Sequence, residues 1–497
     1  MRQSQVIPVV YDRRRVSKAV GTVLLACGAL SVSVGCSVNP ATGQRQFMLI
    51  GESEEIDIGR ASNEGIVAQL GLYDDDATQA FVAELGRKLA AASERPDLPW
   101  TFQVVDDPVV NAFALPGGFI YVTRGILAHL ESASGLAGVL GHEIGHVTAR
   151  HGASRMSRGV LAQIGLGVTA VVSPGAKGIA DAAESGLGLL FLKYGRDDER
   201  QADELGFRYS ERAGYDPRAM VEVFEMLQRT SRRATQRGSV PSWLLTHPPP
   251  EARQGRAETA LRDREDLDRL LRERDSYVER LSGMIYGSNP REGYFREDRF
   301  LHPDLRFEVR FPSGWNHRNQ RNGVVSVEPG GRAVIIVTLA TESDSRDAVD
   351  SFRTAEGLES QGSWRSEIAG VEVESLRFRR SGEDRDTRGI VVFVRLDARV
   401  LQLLAVSEDD TFGQLEGALT IALESFRTVT DRRVLEVQPL RIETVRLRRD
   451  RTALQLAEGT DSPVSVEELE MLNGLDAGAT LVAGSLAKRV VGRRPPQ

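Results

Sequence analysis

Residues 132–150 read SASGLAGVLGHEIGHVTAR, an apolar run bearing Gly and Ala, long enough for one buried helix and interrupted by His142, Glu143 and His146. Residues four apart in a helix lie one turn above each other on the same face, so both imidazoles can address one ion while Glu143 projects beside them. A carboxylate so placed can hold and deprotonate a water whose pKa a zinc ion has lowered toward neutrality, which is the chemistry of metal-assisted peptide hydrolysis. Gly145 lets a second element approach this helix closely. Two buried histidines one turn apart can also be satisfied core residues, and so short a pattern arises by chance. A catalytic zinc takes three protein ligands and keeps one position open, so a third ligand is required from elsewhere.

Residues 196–206, RDDERQADELG, supply the candidate. Glu199 and Asp203 share a helical face, so Glu199 can ligate while Asp203 orients a ligand imidazole from behind. A solvated acidic helix is the alternative. His247, in Thr246-His247-Pro248-Pro249-Pro250, can approach the metal as a fourth ligand, polarise a scissile carbonyl, or merely cap a Pro-rich turn. His151 is rotated off the metal-facing stripe and is expected to support the site or the fold. His129, His302 and His317 have no ligand-like companions and are expected at the surface.

Composition narrows the class. The formal charge of -7, from 63 basic and 70 acidic residues, gives no field to attract nucleic acid, which is excluded as a partner. Only Cys27 and Cys36 are present, both near the start, so the remainder holds no disulfide or thiolate metal site. Arg13, Arg14, Arg15 and Lys18 precede the apolar stretch Ala19 to Val34, in the order of a secretory signal and short for a membrane span. Cys36, behind Ser33 and Gly35, resembles the acylated cysteine of a bacterial lipobox. Leu24-Leu25-Ala26-Cys27 is the alternative, and an uncleaved anchor a third reading. Residues 1–36 are thus expected to be a signal peptide with lipobox, placing the chain in the periplasm on a lipid anchor at the outer membrane.

With 497 residues, several domains are expected. Glu52 to Arg87 has helical spacing, and Thr101 to Val105 and Gly118 to Thr123 read as strands. Val160 to Leu192 is an apolar segment broken by Ser173-Pro174-Gly175, and reads as core helices or a lid. Glu251 to Gly283 is a charged helical stretch whose charges read as a solvated face, and Gly287 to Arg291 reads as a linker. Short alternating strands follow: Phe307 to Phe311, Val324 to Val327, Ala333 to Leu339, Val371 to Phe378, Gly389 to Leu396 and Val400 to Ser407. Helical pieces near Arg346 to Glu356 and Phe412 to Phe426 accompany them, an α+β pattern. The expected fold is therefore multidomain: a mainly α zincin-type peptidase domain with a small β-sheet over 37–286, an α+β domain over 300–430, and a small β-α unit over 438–493.

The stretch from Asn39 to Gly283 resembles the soluble members of the M48 peptidases. Asn39-Pro40-Ala41-Thr42-Gly43, the run Asn111 to Gly118, the zinc helix His142 to His151, and Arg196, Glu199, Ala202 and Asp203 carry the likeness; Gln201 stands where the family has Glu. The resemblance implies a His-His-Glu zinc site with Glu199 as third ligand, one zinc per chain, and envelope quality control. Phe307 to Trp315 resembles the opening of PsbP/Mog1-like domains, and Thr452 to Gly484 follows the order of LysM-like glycan-binding modules, which implies peptidoglycan as a further partner; a structural β-α cap is the alternative. The expected activity is hydrolysis of unfolded or extended polypeptides held along the strand Gly118 to Val122 by main-chain hydrogen bonds. The rival expectations are a chaperone-like factor with a capped zinc site and a cell-wall scaffold.

Overall fold

The computed structural model describes residues 36–165, 193–236, 241, 243–247, 250–382, 385–458 and 462–495. The signal and Cys27 lie outside the described residues, as does most of the segment Val160 to Leu192 that reads as core helices or a lid.

The chain enters through a short hairpin, β1 (Cys36–Val38) and β2 (Arg45–Phe47), followed by helix α1 (Glu52–Leu70) and helix α2 (Asp76–Ala91). α1 carries Glu52, Glu54 and Glu55 in its first turn, where the helix dipole favours anions. Glu55 is buried there between Arg95, at 3.1 Å, and Arg150, at 2.9 Å. Asp75 caps α2 by accepting from Thr78 N, and α2 buries Val82, Leu85 and Leu89. β3 (Thr101–Val105), β4 (Ala112–Leu115) and β5 (Phe119–Thr123) form a sheet in the order β3-β5-β4, β5 running parallel to β3 and antiparallel to β4. β5 is central, so both of its edges are already paired. The expectation that a substrate strand adds to Gly118 to Val122 is therefore wrong. The edges of this sheet are β3 and β4.

α3 (Arg124–His129) leads to α4 (Ala133–Thr148), which Ser132 caps by accepting from Gly135 N and whose residues are all buried. α5 (His151–Gly165), α6 (Arg196–Arg212), α7 (Ala219–Gln236), α8 (Trp243–Thr246), α9 (Glu251–Leu261) and α10 (Arg274–Arg280) surround it. Glycines set the crossing of α4 with α6. A Cβ on Gly145 would stand 3.0 Å from Ala202 O, and one on Gly206 would stand 2.9 Å from His142 N. Backbones can meet at that distance only without side chains between them.

A β-rich region follows: β6 (Ile285–Tyr286), β7 (Tyr294–Arg296), β8 (Arg299–His302), β9 (Phe307–Arg310), β10 (Asn316–Gln320), β11 (Gly323–Val327), β12 (Ala333–Leu339), helix α11 (Ser345–Arg353), β13 (Leu358–Ile368), β14 (Val371–Arg380), β15 (Thr387–Leu396), β16 (Arg399–Glu408), helix α12 (Phe412–Glu424) and β17 (Arg427–Thr428). An antiparallel seven-stranded sheet in the order β10-β11-β12-β16-β15-β14-β13 carries apolar clusters around Ile335 and Leu403 and around Phe378 and Phe393. The structure is thus multidomain, with a helical N-terminal part and a large β-rich C-terminal region. His302 and His317 are not surface residues: His317 is half-buried, stacked on Phe295 with ring centroids 5.0 Å apart, and His302 Nδ1 accepts from Leu305 N. His129 is likewise half-buried, its Nδ1 2.8 Å from Gly125 O.

The last elements return to the helical part. β18 (Leu440–Arg446) pairs with both β6 and the strand Leu486–Val491, and Ile442, Leu469, Leu472 and Val490 share one apolar cluster with Leu136, Leu140 and Ile144 of α4. Among the described residues no helix is long and apolar enough to cross a membrane.

Candidate metal centre

α4 presents His142 and His146 toward α6. Their Nε2 atoms are 3.1 Å apart, and Glu199 places Oε2 at 3.6 Å from His142 Nε2 and Oε1 at 3.5 Å from His146 Nε2. The loop after α8 brings in His247, whose Nδ1 lies 2.8 Å from Glu199 Oε1. Ligand atoms of His142, His146, Glu199 and His247 all fall within 4.8 Å of one another, and all four residues are buried. Imidazole nitrogens and carboxylate oxygens gathered so closely can share one cation, and three nitrogens with one carboxylate suit zinc. Glu143 lies beside the group with Oε1 3.8 Å from His247 Nε2, and its buried Oε2 has no hydrogen-bond partner among the described residues. The donor set therefore fits a single zinc ion.

The supporting groups are ordered by pairs. Asp203 Oδ1 is 3.0 Å from His142 Nδ1. His146 Nδ1 is 2.9 Å from His151 Nδ1, and His151 Nε2 is 2.8 Å from Gln201 Oε1. Asn39 donates to the same Gln201 oxygen at 3.2 Å and to Ala149 O at 3.2 Å, which ties the segment just after Cys36 to the back of the site. Cys36 itself begins β1.

Two residues in the site escape the sequence pattern. Arg253, on the first turn of α9, is buried, with Nη1 2.8 Å from Glu199 Oε2 and Nη2 2.6 Å from Asp203 Oδ1. The reading of Glu251 to Gly283 as a solvated face thus fails at this position. Two carboxylates on one helical face needed a cation besides a metal, and that was the available signal. Tyr194 stacks on His146 at 3.9 Å between ring centroids.

Burial dominates the electrostatics. It pushes the Glu143 carboxyl above its ordinary range, against the attraction of His247 and His142. Burial opposes ionisation of Glu199 too, but His247 and Arg253 hold its carboxyl below the usual value. Asp203 is held well below the usual range by Arg253 and His142 despite its burial. His146 is kept neutral by burial and by neighbouring imidazoles, the state that can ligate. Burial works against protonation of His247, yet Glu199 and Glu143 raise it.

Residues 76–260 match the sequence profile described as Peptidase family M48. A beta-barrel assembly-enhancing protease of Yersinia pestis is 32% identical over 197 residues, covering 37% of this chain and 38% of that relative. The mitochondrial metalloendopeptidase OMA1 of Schizosaccharomyces pombe is 30% identical over 230 residues, covering 45% of this chain and 66% of that relative. The match thus spans less than two thirds of either relative. The solution structure of cyanobacterial PsbP from Synechocystis sp. PCC 6803 matches with a TM-score of 0.22 and 12% identity, over 26% of this chain and 91% of that one.

Proposed function

We infer that this chain, which carries a domain of peptidase family M48 over residues 76–260, is a zinc-dependent endopeptidase. The observation that carries the reading is the convergence of His142, His146 and Glu199 from two helices, with Glu143 adjacent. His142, His146 and Glu199 hold the metal, Asp203 and His151 orient the two imidazoles, and Arg253 fixes the carboxylates. Zinc bound there supplies Lewis-acid polarisation of a carbonyl and acidifies a neighbouring water. Glu143, whose carboxyl burial pushes above its ordinary range, takes a proton from the attacking water at Oε2 and returns it to the leaving amine. The substrate is an extended polypeptide that adds to the edge of β4, whose start lies beside Glu143 in the same cleft.

Relatives named for β-barrel assembly support unassembled cell-envelope proteins as substrates; a periplasmic location on a lipid anchor at Cys36 rests on the basic and apolar run that precedes that cysteine. The unit over 438–493 would add contact with peptidoglycan. A second reading is favoured by His247: its ligand atom lies within 4.8 Å of those of His142, His146 and Glu199, so it would serve as a fourth ligand in a capped, client-holding site.

The test is cleavage of casein by the zinc-loaded chain, by Glu143→Gln and by His247→Ala. Cleavage by wild type, lost by at least about 1000-fold in Glu143→Gln, is expected. Zinc bound with no cleavage in any of the three would remove the endopeptidase reading, and activity appearing only in His247→Ala would establish the cap.

A further inference from the structure

The cleft beside Glu143 and His142 contains a small cavity of about 40 Å³. Its apolar lining comes from Val139 on the metal helix, Met220, Val223 and Leu227 on α7, and Trp243 on α8, with the metal-site residues His142, Glu143, His247 and Arg253 completing it. These side chains are all buried. On two of its lining residues, buried polar atoms lack hydrogen-bond partners among the described residues: the Oδ1 of Asn111 and the Nε1 of Trp243. One is an acceptor and the other a donor, which is what a peptide N–H and C=O require. Leaving both unpaired is costly unless a ligand satisfies them.

We propose that this cavity is the specificity pocket for the residue that becomes the new N-terminus, and that it selects Leu, Ile, Val or Met there. The proposal rests on the endopeptidase reading. Two observations fix the side of the scissile bond. Glu143, which must reach the leaving amine, forms one wall. A peptide antiparallel to β4 also places its C-terminal half at Asn111 and Ala112, which sit where β4 begins and line the cavity. Size fixes the class: a water-sized occupant needs roughly 10–15 Å³, so the cavity takes about three or four heavy atoms. That accommodates a branched aliphatic tip and excludes an indole or a phenol. Among the described residues, the walls offer no counter-charge to a substrate carboxylate or ammonium other than the metal-site residues themselves. Discrimination between aliphatic and charged or bulky aromatic side chains then follows from burial and fit, at roughly tenfold or more.

The zinc-loaded chain is incubated with a proteome-derived peptide library and its cleavage sites are read by mass spectrometry. In parallel, Glu143→Gln is titrated with peptides that differ only at the residue after the scissile bond, Leu, Trp or Asp. Aliphatic residues should dominate that position, and the Leu peptide should bind at least about tenfold more tightly than the other two. Met220→Ala should shift the preference toward Phe; Leu227→Ala serves the same purpose if Met220→Ala does not fold. Equal binding of the three peptides, or a cleavage profile indifferent at that position, would overturn the pocket. Discrimination in Glu143→Gln without any wild-type cleavage would instead keep the pocket and remove the catalytic reading.

Discussion

Arg253 stands between Glu199 and Asp203 with its guanidinium fully desolvated, so three charges are buried as one group. Removing the cation leaves, among the described residues, Asp203 hydrogen-bonded only to the His142 imidazole and Glu199 only to the His247 imidazole, and breaking up a buried charge group in this way costs about 3–5 kcal/mol. Arg253→Met should therefore lower the unfolding free energy of the metal-free chain by that amount and that of the zinc-loaded chain by less, because zinc compensates Glu199; denaturant titrations of both forms check this. Equal losses would mean that Glu199 does not face the metal. His129 gives a pH test. Burial lowers its pKa to about 4 from the ordinary 6.5. The unfolded chain thus binds a proton between those values while the folded chain does not, so stability is lost as pH falls from 6.5 to about 4. His129→Gln, which can still donate to Gly125 O, should reduce that loss by on the order of 2 kcal/mol, discounted for the partly exposed ring; parallel pH curves for the two chains would contradict it. At this scale His142, Glu143 and His146 were legible because their relation is set by helical spacing alone. Arg253 was not, since nothing local separates a buried guanidinium from its many solvated neighbours on a charged helix.

Between elements, the decisive contact is the crossing of α4 and α6, where glycine lets Glu199 reach the imidazole pair. A methyl group on Gly206 would press on His142 N from 2.9 Å, a backbone atom that cannot rotate away. Gly206→Ala should therefore part the helices and weaken zinc binding by roughly 10- to 100-fold, measured by chelator competition, even though alanine favours the helix itself. Unchanged zinc affinity would show that the crossing has slack. Gly145 signalled this approach in advance, but its partner could not be named from sequence. The strand order was equally hidden: Thr101 to Val105 and Gly118 to Thr123 were readable as strands, yet their pairing side by side with β4 on the rim depends on non-local contacts. β13 was missed because its residues are exposed on both faces, from Glu359 to Glu367, and so show no apolar alternation.

Across the whole molecule, the C-terminal elements are bound into the core that carries the metal helix. Lys488 is fully buried and its ammonium donates to Ala128 O at 3.1 Å and Leu130 O at 2.8 Å, with Glu131 Oε1 at 2.7 Å, just before α4 begins. Lys488→Met should cost about 3 kcal/mol by leaving those acceptors unpaired, and a chain ending at Pro439 should lose its cooperative unfolding transition. A truncated chain with the thermal transition of the full one would contradict this. The helix-then-strand order of the chain was legible from periodicity, whereas this return to the first core was not, because it joins segments some 300 residues apart. The account as a whole stands on the metal. The most direct test is the zinc content of the purified chain beside that of Glu199→Ala, with affinities from chelator competition. One zinc per wild-type chain, held at least about 100-fold more weakly in Glu199→Ala, is predicted. Equal zinc binding by the two chains, or none by wild type, would contradict it.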